Sequence, residues 1–259
     1  MNTFLALLPE PRLYWSLVAL VFAAAVVTFF ALLRITAPYG RHARPGWGPA
    51  LTARAGWIVM ESPAVLLFVA VFIAGPNAAG LVPLVLLGMW QLHYLNRTFV
   101  YPLRLRVTGR RMPIVVIAMA IAFNCVNAWI NARWISTLGT YADDWLQSPA
   151  FLAGAGLFAA GFAINQHADT ALIRLRGFGD SRYRVPDGGL YRWISCPNYL
   201  GEILEWLGWA IATWSLAGLA FAVFTIANLA PRAIANHRWY RQEFPNYPPQ
   251  RRALIPGIL

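Results

Sequence analysis

Long apolar stretches separated by short polar connections make up most of this 259-residue chain. A stretch of about 20 apolar residues can cross the hydrocarbon core of a membrane as one α-helix. The pattern predicts an all-α integral membrane protein, built as a single domain of seven transmembrane helices over residues 1–259. The predicted spans cover about residues 12–34, 54–74, 81–101, 113–135, 150–173, 198–215 and 218–235, and a polar tail follows at 236–259.

The basic residues are distributed unequally between the two ends of these spans. All 21 of them are arginines, and all but Arg12 and Arg133 lie near the connections after spans one, three and five or in the tail. Basic residues accumulate on the cytoplasmic side of membrane proteins. We therefore expect the N-terminus outside and the C-terminus in the cytoplasm. The predicted location is the bacterial inner membrane, or the endoplasmic reticulum in a eukaryote.

Composition supports a membrane location and argues against nucleic-acid binding. The chain is 59% hydrophobic and 12% charged, whereas soluble domains carry about 25% charged residues. A net charge of +11 would suit nucleic acid, but the arginines lie between apolar spans and not in a solvated basic domain. Cys125 and Cys196 form no metal-ligand pattern, so no metal site is predicted.

One apolar helix, predicted for span six, carries a polar face. Asn198, Glu202, Glu205 and Trp209 follow one another at i, i+4, i+7 and i+11, which places them in one sector of a helix. Carboxylates in such a helix are costly unless they are paired or face a wet cavity. A solvated interfacial helix would give the same pattern, but the neighbouring arginines favour a buried polar site.

Three other spans carry polar residues at helical spacing near their predicted cytoplasmic ends. These triads are Tyr94, Arg97 and Tyr101 in span three, Asn165, Asp169 and Arg176 in span five, and Arg232, Asn236 and Tyr240 in span seven. Each triad alone is typical of snorkelling side chains at a membrane surface. Together with the polar face of span six, they predict one pocket that opens to the cytoplasm.

The residue types in this pocket suit a phosphorylated nucleotide. Guanidinium groups bind phosphates through paired hydrogen bonds, while carboxylates accept hydrogen bonds from ribose or amide groups. The segment GAGLFAAG at 154–161 lacks the spacing and the preceding strand of a dinucleotide-binding fingerprint. We expect its small residues to let two helices approach closely.

Glu61 and Tyr94 are predicted to lie at equal depth on neighbouring antiparallel helices, about 10 Å from the cytoplasmic side. A carboxyl and a phenol placed in this way could donate a proton beside an apolar cavity. A structural hydrogen bond between the helices fits the same spacing equally well. His93 and His167 face away from the polar stripes and are expected to be packing residues.

Four stretches, in order along the chain, resemble the steroid 5α-reductase family. They are LHYLNRTFVYPLR at 92–104, INQHADTALIRLR at 164–176, the segment at 183–222, and HRWYRQEFPNYPPQRRALIP at 237–256. The resemblance implies a seven-helix membrane enzyme that uses NADPH to reduce the Δ4 double bond of 3-oxo-Δ4 steroids, giving 5α-reduced 3-oxo steroids.

The resemblance also implies roles for individual residues. The NADPH contacts would fall on Asn165, Asp169, Arg176, Tyr183, Asn198, Glu202, Arg232, Asn236, Tyr240 and Arg251, and on Arg97, Tyr101 and Arg111. Glu61 and Tyr94 would bind the substrate carbonyl and act in catalysis, between the substrate-flanking Trp57 and Trp206. The chain departs from the animal enzymes at Asn236, where they have histidine, and at Met60, where they often have glutamine.

Two other function classes share some of these features. An S-adenosylmethionine-dependent methyltransferase of the isoprenylcysteine type has a similar tail, but methyl transfer does not need Glu61 with Tyr94 or so many arginines. A transporter or sensor would need a polar path through both faces, and the outer connections are short and nearly uncharged. The expected partners are an apolar enone substrate and membrane lipid, with neither nucleic acid nor an obligate protein partner.

Overall fold

The computed structural model describes residues 10–105, 109–175 and 183–259, and 73% of the chain is helical. The helices are α1 (Glu10–Arg34), α2 (Ala53–Ile73), α3 (Leu81–Leu95), α4 (Tyr101–Arg104), α5 (Ile114–Arg133), α6 (Pro149–Arg174), α7 (Pro197–Thr213) and α8 (Leu216–Glu243). Two π-helical segments, Asn96–Val100 and Trp134–Leu138, follow α3 and α5 directly. Short 3₁₀ turns lie at Gly40–His42, Trp145–Gln147 and Gly189–Arg192.

The described residues form an all-α membrane protein with one small addition. Four helices are long and apolar enough to cross a membrane: α1, α2, α5 with its π-helical extension, and α8. The other three long helices overlap predicted spans, and their crossing, like the orientation of the chain, stays a prediction. The addition is an antiparallel ribbon of β1 (Ala50–Thr52) and β2 (Arg111–Pro113), which joins the loop before α2 to the loop before α5.

Helix α8 does not end where the apolar sequence ends. The predicted span stops at residue 235, but α8 continues to Glu243, so the first part of the predicted tail is helical. The two extra turns carry Trp239 and Tyr240, whose rings contact each other and Phe244. Tertiary packing of these aromatic side chains therefore extends the helix beyond its apolar stretch.

Helices α6 and α7 pack backbone against backbone. Gly154 faces Gly208 and Gly161 faces Gly201, and each pair leaves no room for a side chain. A Cβ atom on Gly161 would lie 2.3 Å from the backbone nitrogen of Glu205. The expectation that the small residues at 154–161 allow close helix packing is confirmed, and the contact sets the position of α7 beside α6.

An aromatic cluster forms the core between α2, α3, α7 and α8. Trp90 is fully buried there, stacked on Phe68 at a centroid distance of 4.4 Å and in contact with Trp206 at 5.4 Å and Trp209 at 5.2 Å. The indole nitrogen of Trp90 donates to the carbonyl of Ala64 at 2.8 Å, so its one polar group is satisfied. This core fixes the helices whose ends carry the polar residues.

Candidate functional site

A cavity of about 860 Å³ lies between the loop at 36–50, the start of α2, the segment after α3, and the ends of α7 and α8. Its volume falls within the roughly 300–1,000 Å³ of small-molecule sites. Seven arginines line it, and the lining residues that the structure describes include no aspartate or glutamate. The lining arginines are Arg41, Arg44, Arg54, Arg97, Arg110, Arg111 and Arg232. The cavity wall is therefore strongly cationic and suits an anionic ligand.

Arg97 connects this wall to the carboxylates behind it. Its guanidinium nitrogens lie 3.8 Å from Asp169 and 3.6 Å from Glu202. The same group lies over the rings of Trp57 at 4.6 Å and Tyr101 at 5.2 Å. The indole nitrogen of Trp57 donates to the backbone carbonyl of Arg97 at 3.0 Å. Arg97 belongs to the π-helical segment after α3, a local geometry that is frequent at functional sites.

Side-chain amides fix the carboxylate of Asp169. Asn198 donates to Asp169 Oδ1 at 3.0 Å, and Asn165 donates to the backbone carbonyl of Asn198 at 3.0 Å. Asp169 and Asn165 are buried on α6, while Asn198 lies on α7 and lines the cavity. The structure thus brings together residues from two stripes that the sequence predicted separately.

Arginine–aromatic contacts also support the part of the cavity wall formed by Arg41 and Arg110. Arg41 lies 4.9 Å from the ring centroid of Trp239 and 4.5 Å from that of Tyr240. Arg110 donates to the hydroxyl of Tyr183 and lies 4.7 Å from the centroid of its ring. One terminal nitrogen of Arg41, Nη1, is buried without a hydrogen-bond partner. A buried unpaired donor of this kind is costly, and an anionic ligand would satisfy it.

Arg232 and Asn236 of the predicted triad in α8 line the cavity, whereas its third member, Tyr240, lies behind the wall against Arg41. Arg232 lies over the rings of Tyr39 at 5.1 Å and Tyr199 at 5.3 Å. Asn236 shares a hydrogen bond of 3.0 Å with His42 Nε2 and donates to Tyr199 at 3.4 Å. Partial burial lowers the pKa of His42 below its usual value; the hydrogen bond with Asn236 opposes this shift, and the positive charges of nearby arginines add to it. The imidazole is therefore neutral at pH 7.

Two of the residues predicted to bind the cofactor, Tyr240 and Arg251, do not line the cavity, and the position of a third is not described. Arg251 is buried and held by the carbonyl of Pro186 at 2.9 Å and by Asp187 at 3.3 Å, so it anchors the tail and does not line the cavity. Tyr240 is buried beneath Arg41, where it stacks on Tyr247. Arg176 lies outside the described residues.

The predicted catalytic pair lies deeper, beside the aromatic core. Glu61 Oε2 accepts a hydrogen bond of 3.1 Å from Asn124, and Tyr94 is buried between Trp90 at 4.8 Å and Trp206 at 5.6 Å. Among the described residues, no hydrogen bond joins Glu61 to Tyr94, although the two interact electrostatically. Trp206 is 1% exposed and belongs to the aromatic core rather than to the cavity wall. The role of each stays a prediction.

His93 was expected to face away from the polar stripes, and this is wrong. Its Nδ1 atom lies 2.8 Å from Glu205 Oε1, and both side chains are buried. Because α3 and α7 face each other across the core, the histidine on one helix meets the carboxylate on the other. The expectation that His93 is a packing residue is correct, because its side chain is buried and hydrogen-bonded.

Sequence reasoning missed two groups of polar residues. Residues 36–50 supply much of the cavity wall, and no helical spacing could reveal a loop that folds back over other elements. The second group is the stripe Asn124, Asn127 and Asn131 on α5, where Asn131 accepts a hydrogen bond of 2.8 Å from Trp209. Their spacing of i, i+3 and i+7 in an otherwise apolar span was a readable signal.

The fold and the cavity define a class of protein: a helical membrane protein with an arginine-lined cavity and, near its aromatic core, Glu61 and the buried Tyr94. A family model described as 3-oxo-5-alpha-steroid 4-dehydrogenase matches residues 110–259. The chain therefore belongs to the 3-oxo-5-alpha-steroid 4-dehydrogenase family, and it is an oxidoreductase of the type that acts on CH–CH bonds.

Relatives from plants and animals match nearly the whole chain. It is 42% identical over 242 residues to steroid 5-alpha-reductase DET2 of Gossypium hirsutum, covering 90% of this chain and 93% of that protein. It is 40% identical to 3-oxo-5-alpha-steroid 4-dehydrogenase 1 of Macaca fascicularis, covering 97% and 96%, and 39% identical to the Homo sapiens protein of the same name, covering 96% of each. The resemblance inferred from the four sequence stretches is confirmed.

Proposed function

We propose that this protein uses NADPH to reduce the Δ4 double bond of a 3-oxo-Δ4 steroid, giving a 5α-reduced 3-oxo steroid. The observation that carries the proposal is the cavity with seven arginines and, among its described lining residues, no carboxylate. A dinucleotide with three phosphate groups is a ligand of matching charge. The names of the relatives support a steroid as the other reactant.

The residues of the cavity fit the cofactor. Arg41 offers an unpaired buried donor, and Arg44 and Arg110 line the same wall. Because Arg251 does not line the cavity, these three are better placed to bind the 2′-phosphate. Asn198 would offer its amide to the cofactor, while Asp169 and Glu202 hold Arg97 in place. When bound, the nicotinamide ring supplies the hydride.

The substrate would bind deeper than this cavity, beside the aromatic core that holds Tyr94. Tyr94 has no hydrogen bond from its hydroxyl to any described residue, so the phenol can donate to the ketone oxygen of an enone. That donation stabilises the negative charge that develops on the oxygen when the β-carbon accepts hydride. Glu61 orients the phenol, and the α-carbon then takes a proton from solvent or a nearby group. The aromatic core excludes water from the hydride transfer.

The test uses the purified protein in lipid nanodiscs with NADPH and a 3-oxo-Δ4 steroid. We expect one NADPH consumed for each steroid that gains two hydrogen atoms, with the product configuration read by chromatography against 5α and 5β standards. A parallel titration compares NADPH with S-adenosylmethionine. Binding of S-adenosylmethionine with no oxidation of NADPH would replace the proposal by methyl transfer.

A further inference from the structure

Asn124, on α5, contacts the predicted catalytic carboxylate. Its Nδ2 atom donates to Glu61 Oε2 at 3.1 Å and to the backbone carbonyl of Met60 at 2.7 Å. Both partners are acceptors, so the nitrogen of the amide, and not its oxygen, must face α2. One amide group therefore holds both the backbone and the side chain of adjacent residues on α2.

The position of Asn124 is rigid. It is 6% exposed, and it lies two turns along the same face of α5 as Ile117, which packs on Met60 and Met112. At Gly56 the two helices approach so closely that a Cβ atom there would lie 2.8 Å from Ile117. A donor on such a well-packed helix stays in place when the carboxylate changes its partners.

Only one oxygen of Glu61 is used in this contact. In the part of the chain that the structure describes, Oε1 has no hydrogen-bond partner. The charged or titratable groups that act on the carboxylate come from four other elements: Arg97 after α3, Glu202 on α7, His93 and Tyr94 on α3, and Tyr39 in the loop before α2. A carboxylate without a fixed donor could turn toward Arg97, away from Tyr94.

We propose that Asn124 is a positioning residue, which holds Glu61 through Oε2 so that Oε1 stays available to Tyr94 and the substrate carbonyl. This inference rests on the proposed function, because it assigns Glu61 a role in that reaction. Asn124 itself touches neither reactant. Its effect is to fix the orientation of the carboxylate, which decides whether the phenol is aligned for donation.

The first test compares two substitutions on the same face of α5. Asn124→Leu removes the donor to Glu61, and we expect kcat to fall roughly tenfold to a hundredfold, the scale of a small misplacement at a reacting centre. Asn127→Leu is the matched control, because Asn127 contacts Asn131 and not Glu61. We expect it to keep kcat within about threefold, and both variants to bind NADPH as the unaltered protein does. The melting temperature of each variant shows how much of any loss comes from unfolding.

The second test uses a substitution that donates only when protonated. In Asn124→Asp the new carboxyl can donate to Glu61 while the pair shares a proton, and it repels Glu61 once that proton is lost. We therefore expect the kcat of Asn124→Asp, relative to the unaltered protein, to fall as pH rises. Asn124→Leu should be slow at every pH.

The third test does not depend on turnover. The infrared band of the Glu61 carboxyl group, assigned by its loss in Glu61→Gln, should shift in Asn124→Leu and stay unchanged in Asn127→Leu. An unshifted band, equal kcat losses in the two leucine variants, or a flat pH dependence in Asn124→Asp would each overturn the inference. If the unaltered protein reduces no enone, the proposed function fails, and the infrared band still decides whether Asn124 holds Glu61.

Discussion

Tyr94 is the residue on which the proposed chemistry depends most directly. It is 4% exposed, its ring contacts Trp90, His93 and Trp206, and its hydroxyl is not bonded to any described residue. These contacts hold the ring in one place, so the position of the phenol oxygen is fixed. A donor fixed in this way needs no reorganisation when charge develops on the ketone oxygen.

We expect Tyr94→Phe to lower kcat by roughly 10²-fold or more, the usual effect of losing one donor to a developing oxyanion. The phenyl ring keeps the packing, so the melting temperature should change little. Single-turnover reduction of a 3-oxo-Δ4 steroid, measured beside NADPH binding, separates chemistry from cofactor affinity. Glu61→Gln should likewise lower kcat and leave NADPH affinity nearly unchanged. A Tyr94→Phe protein that reduces steroid at the original rate would leave the phenol a structural role.

At the residue scale, helical spacing in the sequence identified the polar groups better than it identified their partners. The stripes containing Arg97, Asp169 and Glu202 were predicted from spacing alone, and the structure joins all three. Spacing gives the face of a helix but not the helix that packs against it, so the contact between His93 and Glu205 could not be predicted. Arg41 could not be found at all, because its position depends on a loop.

The contact between α6 and α7 determines where the polar faces of both helices meet. Two glycines on each helix allow the backbones to touch, and this places Asn165 beside Asn198. A side chain at any of these glycines would push α7 away from α6. Because Asn198 and Glu202 lie on α7, such a shift would also move them relative to Asp169 and Arg97.

Gly161→Ala should therefore destabilise the protein by about 1–3 kcal/mol, the usual cost of overpacking, and weaken NADPH binding. Gly156→Ala is the matched control, since a Cβ atom there would meet nothing within 4 Å. We expect the control to be neutral or slightly stabilising, because alanine favours helix over glycine. Unfolding in denaturant and NADPH titration of both variants test this. Equal behaviour of the two variants would contradict the close contact.

At the element scale, the apolar stretches predicted where the long helices lie, whereas their ends depended on tertiary contacts. The extension of α8 to Glu243 rests on aromatic packing that no apolar pattern records. The ribbon of β1 and β2 is also invisible in the sequence, because each strand has three residues and pairs with a distant loop. The π-helical segment Asn96–Val100 lies inside an otherwise helical pattern and shows no break.

At the scale of the whole molecule, the seven arginines that line the cavity come from five separate segments of the chain. They belong to the loop at 36–50, to α2, to the π-helical segment after α3, to the segment before α5 and to α8. Arg133, at the other end of α5, instead pairs with Glu10. This distribution suits a dinucleotide that carries an additional phosphate group.

We expect the protein to prefer NADPH over NADH, because the lining arginines can bind the 2′-phosphate. Arg41→Gln should weaken NADPH binding more than NADH binding and so reduce the preference. Arg133→Gln removes the same charge far from the cavity and should leave both affinities unchanged. Titration of the three proteins with both nucleotides decides this. Equal affinity of the unaltered protein for NADPH and NADH would contradict phosphate recognition by the cavity.

Seven guanidinium groups around one cavity also repel one another whenever no anion lies between them. Dissolved salt screens such repulsion, since the screening length falls from about 10 Å at 0.1 M to about 3 Å at 1 M. The protein without cofactor should therefore melt at a higher temperature as sodium chloride is added, and multivalent sulfate or phosphate should be more effective at equal ionic strength. Saturating NADPH should abolish this dependence. The ionic composition of a purification buffer would then decide how long the cofactor-free protein survives outside its membrane.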